Sequence, residues 1–350
     1  MIEHVDNRNP RLTVAGALNH ALHDLMAIDP RVVIIGEDIL DPYGGAFKIA
    51  KGLSTRFPDR VCTSPISEAA IVGLAVGMAM RGMRPIVEIM FGDFLLLAAD
   101  QLINHAAKFG WMYQNAVSVP LVVRTPMGGR RGYGPTHSQC LEKHLLGVPG
   151  LWVVAPHVLL DPGALLQQST LECDEPVVFI ESKTCYGKSL IEKVDGMRVQ
   201  SIRDEAAPFP TTYLQHLNGR ANSDGVLCCY GGMTPLCLEA VQELRDKEGL
   251  FLDLAIFSQL SPPPTTHLHQ IANQKPLELW AYVEEANPIG GWTSEMIAQV
   301  EQVRFDAGHR TNIKHSRLGA SFTPIATSRE VEFKTLPQVS DIVSRIVDCF

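Results

Sequence analysis

Pro85-Ile86-Val87-Glu88-Ile89-Met90 runs without a break into Phe91-Gly92-Asp93-Phe94 and a helix-period stretch reaching Phe109. An apolar run of strand length followed by a helix is the repeating unit of a covered parallel sheet. The same unit recurs on both sides of this stretch. Val32-Val33-Ile34-Ile35 leads through a loop to a predicted helix over Ala46–Phe57. Leu121-Val122-Val123-Arg124, Trp152-Val153-Val154 and Val177-Val178-Phe179-Ile180 are further strands, and the last two flank a helix near Asp161–Glu172. Continuous apolar strands separated by helices imply a sheet buried on both faces.

Past about Ser189 the pattern weakens into a polar segment containing Pro208-Phe209-Pro210, and it resumes near Asp224. Val226-Leu227-Cys228-Cys229-Tyr230, a Gly231-Gly232 turn and a helix from Thr234 to about Lys247 open a second unit. Phe251–Ile256 and Leu279–Val283 are its further strands, with a helix over Trp292–Phe305. The expectation is α/β, with two parallel-sheet domains at residues 1–190 and 224–350 joined by a linker at 191–223. A chain of 350 residues accommodates two such cores.

Composition narrows the function classes. With 46% hydrophobic and 19% charged residues the chain suits an ordinary soluble globular protein. A net charge of -8 argues against nucleic-acid binding, which wants a basic face. No apolar run reaches the roughly 18–20 residues of a membrane helix. MIEHVDNRNPR has no apolar core, so no secretory signal and a cytoplasmic location are expected. The eight cysteines contain no C-x-x-C pair, which favours reduced, buried thiols over zinc or redox centres.

Ligands of open parallel sheets bind at the carboxyl ends of strands, and three segments fall there. Thr63-Ser64-Pro65-Ile66-Ser67-Glu68-Ala69-Ala70 follows a short strand and opens an apolar helix, with Glu68 in its first turn. Alone, Glu68 would merely complement the helix dipole. Glu88-Ile89-Met90-Phe91-Gly92-Asp93-Phe94 is a second strand end, where Phe94 by itself reads as core. Met127-Gly128-Gly129-Arg130-Arg131-Gly132-Tyr133-Gly134-Pro135-Thr136-His137-Ser138-Gln139 is the third. Four glycines around two arginines and a histidine suit a mobile binding loop. It is not a phosphate loop, because G-x-x-x-x-G-K-[ST] is absent.

Together these segments resemble one family. Gly36-Glu37-Asp38, Tyr43-Gly44-Gly45-Ala46-Phe47-Lys48, Pro65-Ile66-Ser67-Glu68, Asp100-Gln101-Leu102-Ile103-Asn104 and His137-Ser138-Gln139 look like the beta chain of thiamine-diphosphate-dependent 2-oxoacid dehydrogenases. Val283-Glu284-Glu285-Ala286 with Gly290-Gly291, and Arg317-Leu318-Gly319-Ala320, continue the resemblance over nearly the whole chain. It implies a transketolase-like pyrimidine-binding domain, a C-terminal transketolase-type domain and an α2β2 assembly with an alpha chain. The alpha chain would hold the diphosphate and Mg2+ through a G-D-G motif that this sequence lacks.

Carried over by position, Glu68 is the catalytic carboxylate against N1′ of the aminopyrimidine. On the same resemblance Phe94 would pack on the ring face, with Met90 and Ile66 as candidate apolar walls, and His137 would stand near the 2-oxoacid and an incoming lipoyl group. Carbonyls of Leu121, Thr170, Leu171, Cys173 and Glu175 would correspond to a potassium site found in some members.

Two departures stand out. Arg130-Arg131 replaces small residues and offers guanidinium groups to a phosphate or second carboxylate of the substrate, or to solvent or a partner chain, with Gln139 nearby. Asp253-Leu254-Ala255-Ile256-Phe257-Ser258-Gln259-Leu260-Ser261 lacks the family's arginine and later aspartate, suggesting a changed subunit contact. The leading expectation is a beta chain feeding acyl groups to a lipoyl acyltransferase. A two-chain thiamine-diphosphate carboligase or transketolase-like enzyme is the alternative, with a non-catalytic structural subunit as the third.

Overall fold

The computed structural model describes residues 12–217, 223–274, 277–309 and 312–350. The first sheet is built from β1 (Val32–Gly36), β2 (Val61–Thr63), β3 (Arg84–Glu88), β4 (Val122–Met127), β5 (Trp152–Val154) and β6 (Val177–Ser182). The second contains β7 (Met197–Ile202), β8 (Thr211–His216), β9 (Gly225–Cys229) and β10 (Leu252–Phe257). After β11 (Gln259–Ser261) it is completed by β12 (Leu279–Val283) and β13 (Lys314–Leu318). The strand orders are β11-β5-β6-β4-β3-β1-β2 and β13-β12-β9-β10-β8-β7.

Strands β1 to β6 are parallel, as their unbroken apolar runs predict. Alternate residues sort onto opposite faces, as the two-residue strand period requires. Ile35, Val87, Val123 and Val178 enter a core shared with Val226, Ala255 and Trp280 of the second sheet. Ile34, Ile86, Val122 and Val177 face the helices Val14–Ile28 and Pro162–Leu171. The two sheets therefore enclose one continuous apolar layer. No helix among the described residues is long and apolar enough to cross a membrane.

Four expectations change. The stretch read as a linker holds β7 and β8, antiparallel to each other, with β8 antiparallel to β10. Beyond it, β11 leaves the second half of the chain and pairs antiparallel with β5 at the edge of the first sheet. Over Ala46–Phe57 only Leu53–Arg56 is α-helical, because Lys48 and Gly52 inside the stretch, and Gly44 and Gly45 just before it, adopt positive φ. At Gly45 the need is also steric: an added Cβ would stand 2.3 Å from Glu88 Oε1.

The helical stretch after Phe91 is not one α-helix either. It is a 3₁₀ segment Gly92–Ala98, a π segment Gln101–Ala106 and an α-helix Ala107–Met112. Such local departures from α geometry are common beside functional sites.

Candidate active site

The carboxyl ends of β1, β2, β3, β4 and β6 lie on one side of the first sheet. A buried ion-pair network braces them from below. Arg124 donates to Glu88 at 2.9 Å and to Glu181 at 2.7 and 2.8 Å, and Tyr186 adds a 2.6 Å bond to Glu181. Burial pushes the Glu88 carboxyl upward against the pull of the Arg124 charge. One partner lost here would strand a buried charge, so the network ties β3, β4 and β6 in register.

Beyond β2 the chain turns, and Ser64 N–H donates to the Gly36 carbonyl at 3.0 Å. That bond seats the entry to the helix Glu68–Met80 beside the end of β1. Glu68 occupies the first turn and is only 6% exposed. Its carboxylate lies at the positive end of the helix. Glu37, directly after β1, is buried as well. Burial and then the Glu68 charge push its carboxyl upward, against an N–H from Ser67. Its Oε1 is buried without a partner.

Phe94 sits half-buried in a ring cluster at the end of β3. Its centroid is 5.9 Å from Phe91 and 5.2 Å from His137, while Phe91 lies 4.8 Å from His137, all edge-to-face. Tyr133 and Phe47 extend the cluster from Phe91 at 5.9 and 5.7 Å. The structure thus brings Phe94 and His137 together, and the helix of Glu68 packs on the Gly92–Ala98 segment that carries Phe94. Met90 is half-buried at the same strand end, whereas Ile66 stands 83% exposed.

The glycine-rich loop is anchored rather than free. Glu285 accepts from Gly129 N–H at 2.6 Å, and Glu332 accepts from Arg130 and Gly132 N–H at 2.8 and 2.9 Å. Arg130 donates to the Pro337 carbonyl at 2.5 Å, and Arg131 donates to the Lys183 carbonyl at 2.6 Å. Each of the twin arginines thus commits part of its guanidinium to a backbone carbonyl of the same chain. Gln139 likewise bonds Asp93 at 2.9 Å through its side chain and at 3.2 Å through its N–H.

The potassium expectation is corrected. Arg84 is 9% exposed, and its Nη1 donates to the carbonyls of Thr170 at 2.7 Å and Cys173 at 3.0 Å. Its Nη2 meets Asp174 at 3.2 Å. The Leu121 carbonyl is a sheet rung to Val177 N–H at 2.8 Å, and the Glu175 side chain accepts from Trp152 at 2.7 Å. The Arg84 guanidinium therefore holds two of the five carbonyls a potassium ion would take, those of Thr170 and Cys173, and a fixed positive charge at that place does not fit the ion. Among the described residues no group of three His, Cys, Asp or Glu side chains is placed to hold a metal.

Asp253, in the segment suspected of a changed subunit contact, is fully buried. It accepts from Tyr213 at 2.6 Å, from Ser223 at 3.0 Å and from His216 N–H at 3.2 Å. Sequence reasoning missed Lys183, Glu285 and Glu332, which touch the loop. Glu285 lay in a quoted motif, but nothing in the sequence joined it to Gly129.

Comparison with known proteins follows the same geometry. Residues 11–188 match the transketolase pyrimidine-binding domain. The chain is 32% identical to a mitochondrial pyruvate dehydrogenase E1 component subunit beta-2 of Oryza sativa subsp. japonica, over 95% of this chain and 84% of that one. It is also 32% identical to the beta-1 subunit of Arabidopsis thaliana, over 95% and 87%. The beta subunit of acetoin:2,6-dichlorophenolindophenol oxidoreductase from Cupriavidus necator is 34% identical over 85% and 86%. A split-gene transketolase, described as an inactive beta4 tetramer, superposes with a TM-score of 0.70 over 97% of this chain and 98% of that one. At 18% identity that likeness concerns the fold.

Proposed function

We propose, from the premise that this chain belongs to the beta-subunit family of thiamine-diphosphate-dependent 2-oxoacid dehydrogenases, that it works with an alpha chain to decarboxylate a 2-oxoacid and pass the acyl unit to a lipoyl group. The observation that carries the reading is Glu68, a carboxyl buried at a helix start near a second buried carboxyl, on a helix packed against the segment that carries Phe94 of the Phe91–Phe94–His137 ring cluster.

When bound, thiamine diphosphate supplies the nucleophilic carbon and the electron sink for loss of carbon dioxide. Everything else asked of this chain is binding and proton control. Glu68 hydrogen-bonds N1′ of the aminopyrimidine, with Glu37 as a second buried carboxyl close to it. Phe94 offers a ring edge and face to the same heterocycle, with Met90 beside it. His137 orients the substrate carboxylate or moves a proton during acyl transfer. The alpha chain is assigned the diphosphate and Mg2+, and the assembly is α2β2.

The test is Glu68→Gln in the enzyme assembled with its alpha chain, assayed with thiamine diphosphate, Mg2+, a panel of 2-oxoacids and an artificial electron acceptor. Assembly should persist while decarboxylation falls by roughly 10²–10⁴-fold. Near-wild-type turnover would overturn the role of Glu68. Acylation of a lipoyl domain supports the dehydrogenase reading; carbon–carbon products from aldehydes without lipoyl transfer would replace it with a carboligase.

A further inference from the structure

Lys183, one residue past β6, is fully buried, yet no step above uses its ammonium. Burying a lysine is costly unless its donors have fixed partners. All three polar groups of this residue are spent on one loop. Its N–H donates to the Met127 carbonyl at 3.3 Å, where the loop starts. Its carbonyl accepts from Arg131 at 2.6 Å, in the middle of the loop. Its Nζ donates to the His137 carbonyl at 2.5 Å, where the loop ends.

The ammonium also lies 5.1 Å from the Phe91 ring centre and 5.9 Å from that of Tyr133. Phe91 is the ring against which the His137 imidazole packs at 4.8 Å. Lys183 thus fixes the backbone of His137 and sits beside the surface supporting its side chain. Burial pushes the Lys183 ammonium below the usual lysine range, and the charges of Asp93, Glu285 and Glu332, which brace the same loop, oppose that shift. A hydrophobic residue of similar length would fill the space and keep the two main-chain bonds, but would lose the Nζ bond to the His137 carbonyl and the contacts to the Phe91 and Tyr133 rings.

We propose that Lys183 is a positioning residue: its ammonium sets the place of His137 against Phe91 and Phe94, and so controls the step that His137 serves. The inference rests on the assignment of His137 to substrate orientation or acyl transfer. Geometric errors near 1 Å at a reacting group cost about 10²-fold in rate, so an effect of roughly 10–100-fold on kcat is expected.

The experiment is a double-mutant cycle in the assembled enzyme with Lys183→Met, His137→Ala and the double variant, reading decarboxylation and lipoyl acylation separately. Lys183→Met is expected to lower kcat of the step impaired by His137→Ala, with KM changed less, and to add little in the His137→Ala background. Equal losses in both backgrounds, or a wild-type rate for Lys183→Met, would overturn the proposal while leaving His137 in place. Wild-type rates for His137→Ala in both readouts would instead sink the role of His137, and the proposal with it. Lys183→Arg keeps the charge but lengthens the reach; it is expected to assemble, recover part of the rate and show the same non-additivity. If Lys183→Met fails to assemble, this variant is read instead, and an unchanged rate in it would overturn the proposal.

Discussion

Replacing Arg84 by methionine isolates the contribution of a cation built into the helix end. The guanidinium satisfies the carbonyls of Thr170 and Cys173, at the carboxyl terminus of the helix Pro162–Leu171, where backbone acceptors lack partners of their own. It also complements the negative end of the helix dipole. Two charge-assisted bonds, one buried and one partly buried, at about 1.5–3 kcal/mol each give roughly 3–6 kcal/mol. The Asp174 contact adds little, because that carboxylate is 74% exposed. For a chain of this size the loss corresponds to a melting temperature lower by roughly 4–8 °C. Melting should be followed in potassium chloride and in choline chloride at equal ionic strength. Wild type is expected to melt alike in both salts, because its cation is covalent. Arg84→Met is expected to melt lower in choline and to regain part of the difference in potassium, which the vacated carbonyls then bind. A potassium-specific stabilisation of wild type, or no shift in Arg84→Met, would refute the reasoning.

Two further outcomes follow from the same geometry. Glu332→Gln removes one of the acceptors holding the loop N–H groups of Arg130 and Gly132; trypsin cleavage after Arg130 or Arg131, followed by mass spectrometry, should accelerate about tenfold with the melting point little changed, and an unaltered rate would show the loop to be held otherwise. His157 is fully buried, and burial pushes its pKa down to about 3. The unfolded chain therefore binds the proton first, so the His157 contribution is complete above about pH 6.5 and is lost as pH falls toward 3. Glu284, pushed up to about 7 by burial, acts in the opposite sense and loses stability as pH rises through that value. The difference in unfolding free energy between wild type and His157→Asn should therefore change by about 1.4 kcal/mol per pH unit below pH 6.5, and a pH-independent difference in denaturant titrations would exclude it.

The parts of the fold legible in the sequence are those where burial is two-sided. Val32–Ile35, Ile86–Val87, Val122–Val123 and Val177–Ile180 have no polar interruption because both faces meet apolar neighbours. β7 was hidden by Arg198, Gln200 and Ser201, which point outward from an edge strand. β11 was hidden because Gln259 and Ser261 are polar residues buried by a partner strand a hundred positions earlier. At the site, Glu68, Phe94 and His137 were legible only through the ordered spacing of several motifs. The partners of Arg130, Arg131 and Arg84 were not, because each guanidinium bonds main-chain carbonyls 52 to 207 positions away. A carbonyl acceptor leaves no mark on the residue type that carries it.

The place of β11 also constrains how the chain is made. β5 is the exposed margin of its sheet until Gln259–Ser261 has left the ribosome, because its outer partner comes from the far half of the chain. At the usual pace of synthesis, about a hundred further residues take roughly 5–20 s. During that interval Trp152–Val154 presents unpaired amides and apolar side chains, a template for pairing with another nascent chain. Slow translation before residue 259 would therefore lengthen an aggregation-prone stage, and a chaperone that shields this margin would raise the yield of soluble protein.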